Sequence, residues 1–169
     1  MPALRFLLAL AVTLLLHFVV GRIAPEAIRV VDLFLLLVVF FALKADLLVG
    51  MAVGVVAGLV TDAVTGGLYG LHGFADTIVG YGTAFAAQRL VIRRPPGVFL
   101  MFSLAAAAQQ AVLAGLVVML LSDPVLPELQ WTLTKVVATG LLGVVLVSIR
   151  QGSTARFQRW RSTRTSKLK

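Results

Sequence analysis

Long apolar runs separated by short polar breaks make up most of this chain. A helix that crosses the hydrocarbon core of a bilayer needs about 20 predominantly apolar residues. Six runs approach or meet that length, and we interpret them as transmembrane spans. They lie at about residues 4–20, 27–43, 47–60, 72–90, 98–121 and 129–149. The pattern predicts an all-α integral membrane protein, a bundle of about six transmembrane helices.

The breaks between these runs carry turn-forming residues. Gly66-Gly67, Pro95-Pro96-Gly97 and Asp123-Pro124 follow the third, fourth and fifth runs. Only residues 44–46 separate the second run from the third, so a five-span arrangement, in which one short run dips in and returns, stays open. The first run has no clear small-x-small cleavage site and is expected to be a retained span. No break can hold a folded domain, which predicts one bundle over residues 1–149 and a tail over 150–169.

The composition excludes an ordinary soluble domain. Hydrophobic residues make up 60% of the chain, charged residues 13%, and the mean hydropathy is +1.01. Soluble domains carry nearer about 25% charged residues. The chain has no cysteine, which excludes a disulfide framework and a thiolate metal site.

The 15 basic residues are unevenly distributed. Basic residues favour the cytoplasmic side of a membrane, and with both termini inside, only Arg22, Arg29 and Lys135 lie at the outer side. This predicts a multi-pass protein of the bacterial inner membrane with cytoplasmic N- and C-termini. The candidate membrane-surface residues are Arg93, Arg94, Arg156, Arg159, Arg161 and Arg164. They either fix the topology or bind anionic lipid, and no nucleic-acid module accompanies them.

Three glycines in the third run share one helix face. Gly50, Gly54 and Gly58 recur at every fourth position, and residues i and i+4 of a helix lie on the same side. Such a face lets another helix backbone approach closely. We predict that a partner's transmembrane helix packs there; packing within the bundle is the alternative.

Two carboxylates follow this face. Asp62 lies at the end of the third run, where it can cap backbone N–H groups of the glycine turn that follows, or else serve a ligand or a proton. Asp76, near His72 at the start of the fourth run, either compensates the helix dipole or pairs with Lys135. Intramembrane charges tend to pair, so both possibilities stay open.

No catalytic motif is present. Neither histidine is followed by glutamate as a zinc protease requires, and no serine lies in a Gly-x-Ser-x-Gly elbow. Asp62 and Asp76 lack the Gly-x-Gly-Asp pattern of intramembrane aspartyl proteases. The sequence therefore predicts no enzyme, no metal site and no cofactor, and His17 is expected to make a helix contact.

The stretch GMAVGVVAGLVTDAVTGGLYGLHGFADTIVGYG, residues 50–82, resembles the central signature of the MreD family of rod shape-determining membrane proteins. The family shows a glycine-rich span ending in an aspartate, a small-residue turn, a Gly-Leu-His-type segment and a Gly-Tyr pair. The matching residues are Gly54, Gly58, Asp62, Gly66, Gly70, Leu71, His72, Gly80 and Tyr81.

The resemblance implies a function that composition could not supply. Members are non-catalytic parts of the cell-elongation machinery for peptidoglycan. They associate with MreC, a bitopic protein, and act alongside a RodA-type glycosyltransferase, a class B penicillin-binding protein and the MreB filament. Their fold is expected to resemble the substrate-binding subunit of energy-coupling-factor vitamin transporters, which supplies the alternative function, substrate capture. Such subunits commonly carry an Ala-x-x-x-Ala pair in the first span, which this chain lacks.

Overall fold

The computed structural model describes residues 2–66, 68–90, 94–121 and 128–165, with backbone only at Pro2, at Arg29 and beyond Arg150. Seven α-helices and no strands are found in these residues. The helices are α1 Pro2–Ile23, α2 Pro25–Val30, α3 Leu33–Ala42, α4 Leu47–Thr65, α5 Leu71–Arg89, α6 Pro95–Leu120 and α7 Leu129–Thr165. The all-α prediction is confirmed.

Four of these helices contain segments that are long and apolar enough to cross a membrane. The segments are Ala3–Ile23, Leu47–Thr65, Pro95–Leu120 and Leu129–Arg150. The α5 helix has 19 residues but carries His72, Asp76 and Arg89, which lower its hydropathy. The α3 helix is apolar but has only 10 residues, about 15 Å of length. Of the about six predicted spans, four therefore correspond to helices of the required length and apolarity, and the count of six is not confirmed.

The second predicted run is not one helix, and this corrects the sequence interpretation. The chain leaves helical geometry at Val31 and Asp32, and α3 begins at Leu33. The carboxylate of Asp32 accepts a hydrogen bond from the backbone N–H of Leu35 at 2.9 Å. An aspartate in this N-cap position starts a new helix by satisfying a free N–H group, so the apolar run contains a break.

The last helix is longer than the predicted sixth span. It continues without interruption from Leu129 past Ile149 to Thr165, so the backbone shows no boundary where the tail was expected to begin. The side chains of Arg156, Arg159, Arg161 and Arg164 lie outside the described residues.

The short α3 helix lies at the centre of the bundle. One hydrophobic cluster joins it to α5 and α6 through Leu35, Val79 and Phe102. A second cluster joins it to α1 and α4 through residues that include Phe34 and Val53. The outward faces of the long helices carry exposed leucine, valine and phenylalanine side chains, as expected of surfaces in lipid.

Candidate functional site

The glycine face of α4 is covered by α5 of the same chain. A Cβ atom built on Gly54 would collide with the main-chain carbonyl of Asp76, and one on Gly58 with that of His72. A Cβ on Gly50 would lie 2.7 Å from the carbonyl oxygen of Gly80. The two backbones touch because these positions have no side chains. The prediction that a partner's helix packs on Gly50, Gly54 and Gly58 is therefore wrong, and the alternative of packing within the bundle is what the structure shows.

Asp62 caps the start of α5. Its Oδ2 atom accepts hydrogen bonds from the backbone N–H groups of Gly70 and Gly73, at 2.9 and 3.1 Å. Its Oδ1 atom accepts from the N–H of His72 at 3.0 Å and lies 2.9 Å from the Nδ1 atom of the same residue. Gly66 and Gly70 turn the chain between these helices with φ angles of 68° and 98°, which favour glycine. The predicted capping role of Asp62 is confirmed.

A second polar cluster lies inside the bundle and joins four chain segments. The side-chain amide of Gln109 donates to Oδ1 of Asp76 at 2.7 Å and to Oδ2 of Asp32 at 3.3 Å. The Nζ atom of Lys135 lies 3.3 Å from the same oxygen of Asp32. Asp32, Asp76 and Gln109 are all buried, with Asp76 and Gln109 fully so. This polar cluster, Asp32, Asp76, Gln109 and Lys135, ties α3, α5, α6 and α7 together.

The structure modifies the predictions for Asp76. The cap of α5 is Gly70 with Asp62, so Asp76 does not serve the helix end. Its hydrogen-bond partner is Gln109, and Lys135 forms its ion pair with Asp32 instead. Asp76 is therefore linked to Lys135 indirectly, through the Gln109 amide and the Asp32 carboxylate.

Sequence reasoning missed Asp32. It lies within the second apolar run, between Val31 and Leu33, and could have been found there, because a carboxylate within such a run needs a partner. Lys135, the basic residue near the outer end of the last span, was the available cation. Recognising this pair would also have placed the break in the second run.

An apolar groove lies on the other side of α3. It is about 550 Å³ in volume and is open along its side, between α1 and α7 with α3 as its floor. Among the lining residues are Val12, Leu16, Leu37, Phe41, Leu142 and Leu146. Thr13 adds a hydroxyl to a lining that is otherwise apolar. Several lining side chains, Val12 and Leu16 among them, are about half exposed in the isolated chain, so a further apolar surface can pack here.

The remaining predicted site residues lie apart from these sites. Tyr81 is exposed and stacks on Phe85, over which the Arg89 guanidinium lies at 4.4 Å. His17 packs its ring against Phe34. Arg94 is exposed, and Arg93 lies outside the described residues. No group of three or more potential metal-binding side chains occurs among the residues that the structure describes.

Comparison with known proteins gives one family. The family model described as rod shape-determining protein MreD matches residues 1–148. No curated protein and no solved structure matches this chain.

Proposed function

The chain belongs to the MreD family of rod shape-determining proteins, and from this premise we propose that it is a non-catalytic scaffold of the bacterial cell-elongation machinery. A rod shape-determining protein with four long apolar helices is a multi-pass protein of the inner membrane. Its proposed task is to hold an MreC-like bitopic protein by that partner's single transmembrane helix. A RodA-type glycosyltransferase, a class B penicillin-binding protein and the MreB filament are the further proposed partners.

The groove between α1, α3 and α7 supports this proposal most directly. Helices associate in a membrane through close packing, because lipid tails already solvate apolar side chains. A groove with a short helix as its floor and two long helices as its walls offers such packing to a third long helix. Its opening faces the side of the bundle, where a single membrane-spanning helix arrives.

The basic residues at one end of the groove support the proposed orientation of the protein in the membrane. The start of α1 lies beside the end of α3, where the rings of Phe6 and Phe41 are 5.3 Å apart. Arg150 of α7 lies over Phe40 at the same end of the bundle, at 4.7 Å. This end also holds Arg5 and Lys44, so we place it, and with it both termini, in the cytoplasm. The basic residues there are also the proposed contacts of anionic lipid.

Substrate capture for a vitamin transporter is the weaker alternative. A water-soluble ligand requires polar groups in an enclosed site, whereas the groove is apolar and opens sideways. The family match also favours the scaffold.

Co-purification with a tagged MreC-like protein from the same genome tests the proposal. Val12→Trp and Val145→Trp place bulk in the groove from its two walls, at side chains that are 55% and 53% exposed. Leu104→Trp on α6, at a side chain 57% exposed and outside the groove lining, is the matched control. We expect the control to be recovered like wild type and each groove variant to lose roughly tenfold in recovery, a change of about 1.4 kcal/mol.

Two results would contradict the proposal, the first its scaffold role and the second its contact surface. Failure of wild type to form a complex in mild detergent, with an MreC-like partner that is itself intact, would remove the scaffold proposal. Equal recovery of the control and both groove variants would keep the scaffold and move the contact to another face.

A further inference from the structure

Two members of the polar cluster, Asp76 and Gln109, carry unsatisfied polar atoms. Among the described residues, three buried side-chain atoms have no hydrogen-bond partner: Oδ2 of Asp76, Oε1 of Gln109 and Oγ1 of Thr139. Asp76, Gln109 and Thr139 are each 0% exposed. Most buried polar groups in proteins do have a partner, so the unpaired oxygens of the bonded neighbours Asp76 and Gln109 need an explanation.

The charges of the cluster do not balance if both carboxylates are ionised. Asp32 accepts hydrogen bonds on both oxygens and has Lys135 as its counter-ion. Gln109 has two N–H groups, and it donates one to each carboxylate. Nothing is left to stabilise a charge on Oδ2 of Asp76, and an uncompensated buried charge is strongly destabilising.

The other charged groups around Asp76 do not supply the positive charge that an ionised Asp76 would need. On α4, Asp62 is negative and is held by the N–H groups at the start of α5 and by His72. On α7, Lys135 is taken by Asp32. On α6, the facing group is the neutral amide of Gln109.

We propose that Asp76 is a proton-binding site, and that its protonated carboxyl group forms a cyclic pair with the side-chain amide of Gln109. In such a pair the amide N–H donates to one oxygen of the acid, and the acid O–H donates to the amide oxygen. The first bond is present at 2.7 Å. The second joins Oδ2 of Asp76 to Oε1 of Gln109, two of the three atoms left without partners.

A metal cation would use the same atoms differently. A sodium ion bound by Asp76 would need oxygen ligands from its surroundings, and Gln109 and Thr139 carry the other unpartnered oxygens. The proton needs no ligand from Thr139. A requirement for the Thr139 hydroxyl would therefore distinguish a bound sodium ion from a bound proton.

Protonation of Asp76 predicts how the stability of the folded state depends on pH. In the unfolded chain an aspartate loses its proton near pH 4, while folded Asp76 keeps its proton to higher pH. Folding then takes up a proton, so the folded state loses stability as pH rises, by up to about tenfold in the unfolding constant per pH unit.

Infrared spectroscopy of the full chain in nanodiscs of phosphatidylethanolamine and phosphatidylglycerol reads the proton directly. At neutral pH, wild type should show the carbonyl band of a protonated carboxylic acid, and the band should move when aspartate is isotopically labelled. Asp76→Asn should lose that band and keep the fold, because the Asn amide can make both bonds of the cyclic pair. If this variant does not fold, Gln109→Met provides the second test, since the acid band should shift when its hydrogen-bond partner is removed.

Thermal unfolding completes the test. Wild type should lose stability between about pH 5 and pH 8, and Asp76→Asn should lose less, because its amide does not titrate. Exchange of sodium for choline should leave wild-type unfolding unchanged. The Thr139→Val variant should unfold like wild type. A carboxylate band at Asp76 would overturn the proposal. So would stability that depends on sodium and falls in Thr139→Val, which would assign the site to the metal ion.

Discussion

The α4–α5 contact and the α1–α3–α7 groove are two helix interfaces built in opposite ways. At the first, glycine lets two backbones touch, and Asp62 fastens the turn between the helices with three backbone hydrogen bonds. At the second, large apolar side chains line a gap of about 550 Å³ that the chain leaves open. The first interface is complete within the chain, whereas the second is not.

The difference distinguishes a helix interface inside the bundle from the proposed surface for a partner. A small-residue face is a strong sign of close helix packing but does not say which helix packs there. In this chain the glycine face belongs to the framework, and the proposed partner surface is lined mainly by leucine, valine and phenylalanine. Substitutions at the two interfaces should therefore act on different properties, stability at the first and association at the second.

Gly54→Leu should have the largest effect. A Cβ at this position would collide with the main chain of Asp76, which cannot move like a flexible side chain, so overpacking should cost about 3 kcal/mol or more. We expect little folded protein by size-exclusion chromatography in detergent. Gly115→Leu on α6 is the control, since nothing lies within 4 Å of a Cβ built there, and it should behave like wild type. A Gly54→Leu protein that folds normally but loses a partner would restore the partner-groove prediction.

Lys135→Met should have the next largest effect. It leaves the buried charge of Asp32 without its ion-pair partner, and such a loss costs about 3 kcal/mol or more. The double variant Asp32→Asn with Lys135→Met removes both charges and should recover much of this stability. Thermal unfolding of the three proteins measures it. A single variant as stable as wild type would show that the ion pair does not hold α7 to the bundle.

Asp62→Ala should be milder than Lys135→Met. It removes the acceptor of three backbone N–H groups at the turn and start of α5, at about 1–3 kcal/mol. Asp62→Asn keeps one carbonyl oxygen and should lose less. Hydrogen exchange should show faster exchange at residues 70–73 in both variants, with the rest of α5 changed less. Uniform acceleration along α4 and α5 would mean that the cap supports the whole interface.

Val12→Trp should have the smallest effect on stability. Val12 lines the open groove and is 55% exposed, so a larger side chain should change the free energy of unfolding by under about 0.5 kcal/mol. Thermal unfolding without partner should match wild type. A large loss would indicate that the groove closes within the isolated chain.

The positions of the four long apolar helices and the role of Asp62 were predictable because each rests on local chemistry. Apolar length predicts a span, and an aspartate before a glycine turn predicts a cap. The break in the second run at Asp32 was missed because the apolar residues around it satisfied the length criterion, while the reason for the break is the bond to Leu35 and the distant Lys135. Local pattern does not contain that pairing.

The sequence could not identify which helix packs on the glycine face, for a related reason. Gly50, Gly54 and Gly58 identify a face, but only the tertiary arrangement shows that α5 covers it. The groove carries no sequence signature, because its residues come from α1, α3 and α7, which are far apart in the chain.

Position-resolved disulfide cross-linking in native membranes tests the proposed scaffold most directly. The chain has no cysteine, so a single cysteine at Val12 or Leu142 in the groove, or at Leu104 outside it, can be paired with one cysteine in the transmembrane helix of an MreC-like protein. A disulfide requires Cβ atoms within about 4.5 Å. We predict cross-links from Val12 and Leu142 with a helical repeat along the partner, and none from Leu104. Cross-links from Leu104 with none from the groove would contradict the proposed docking site.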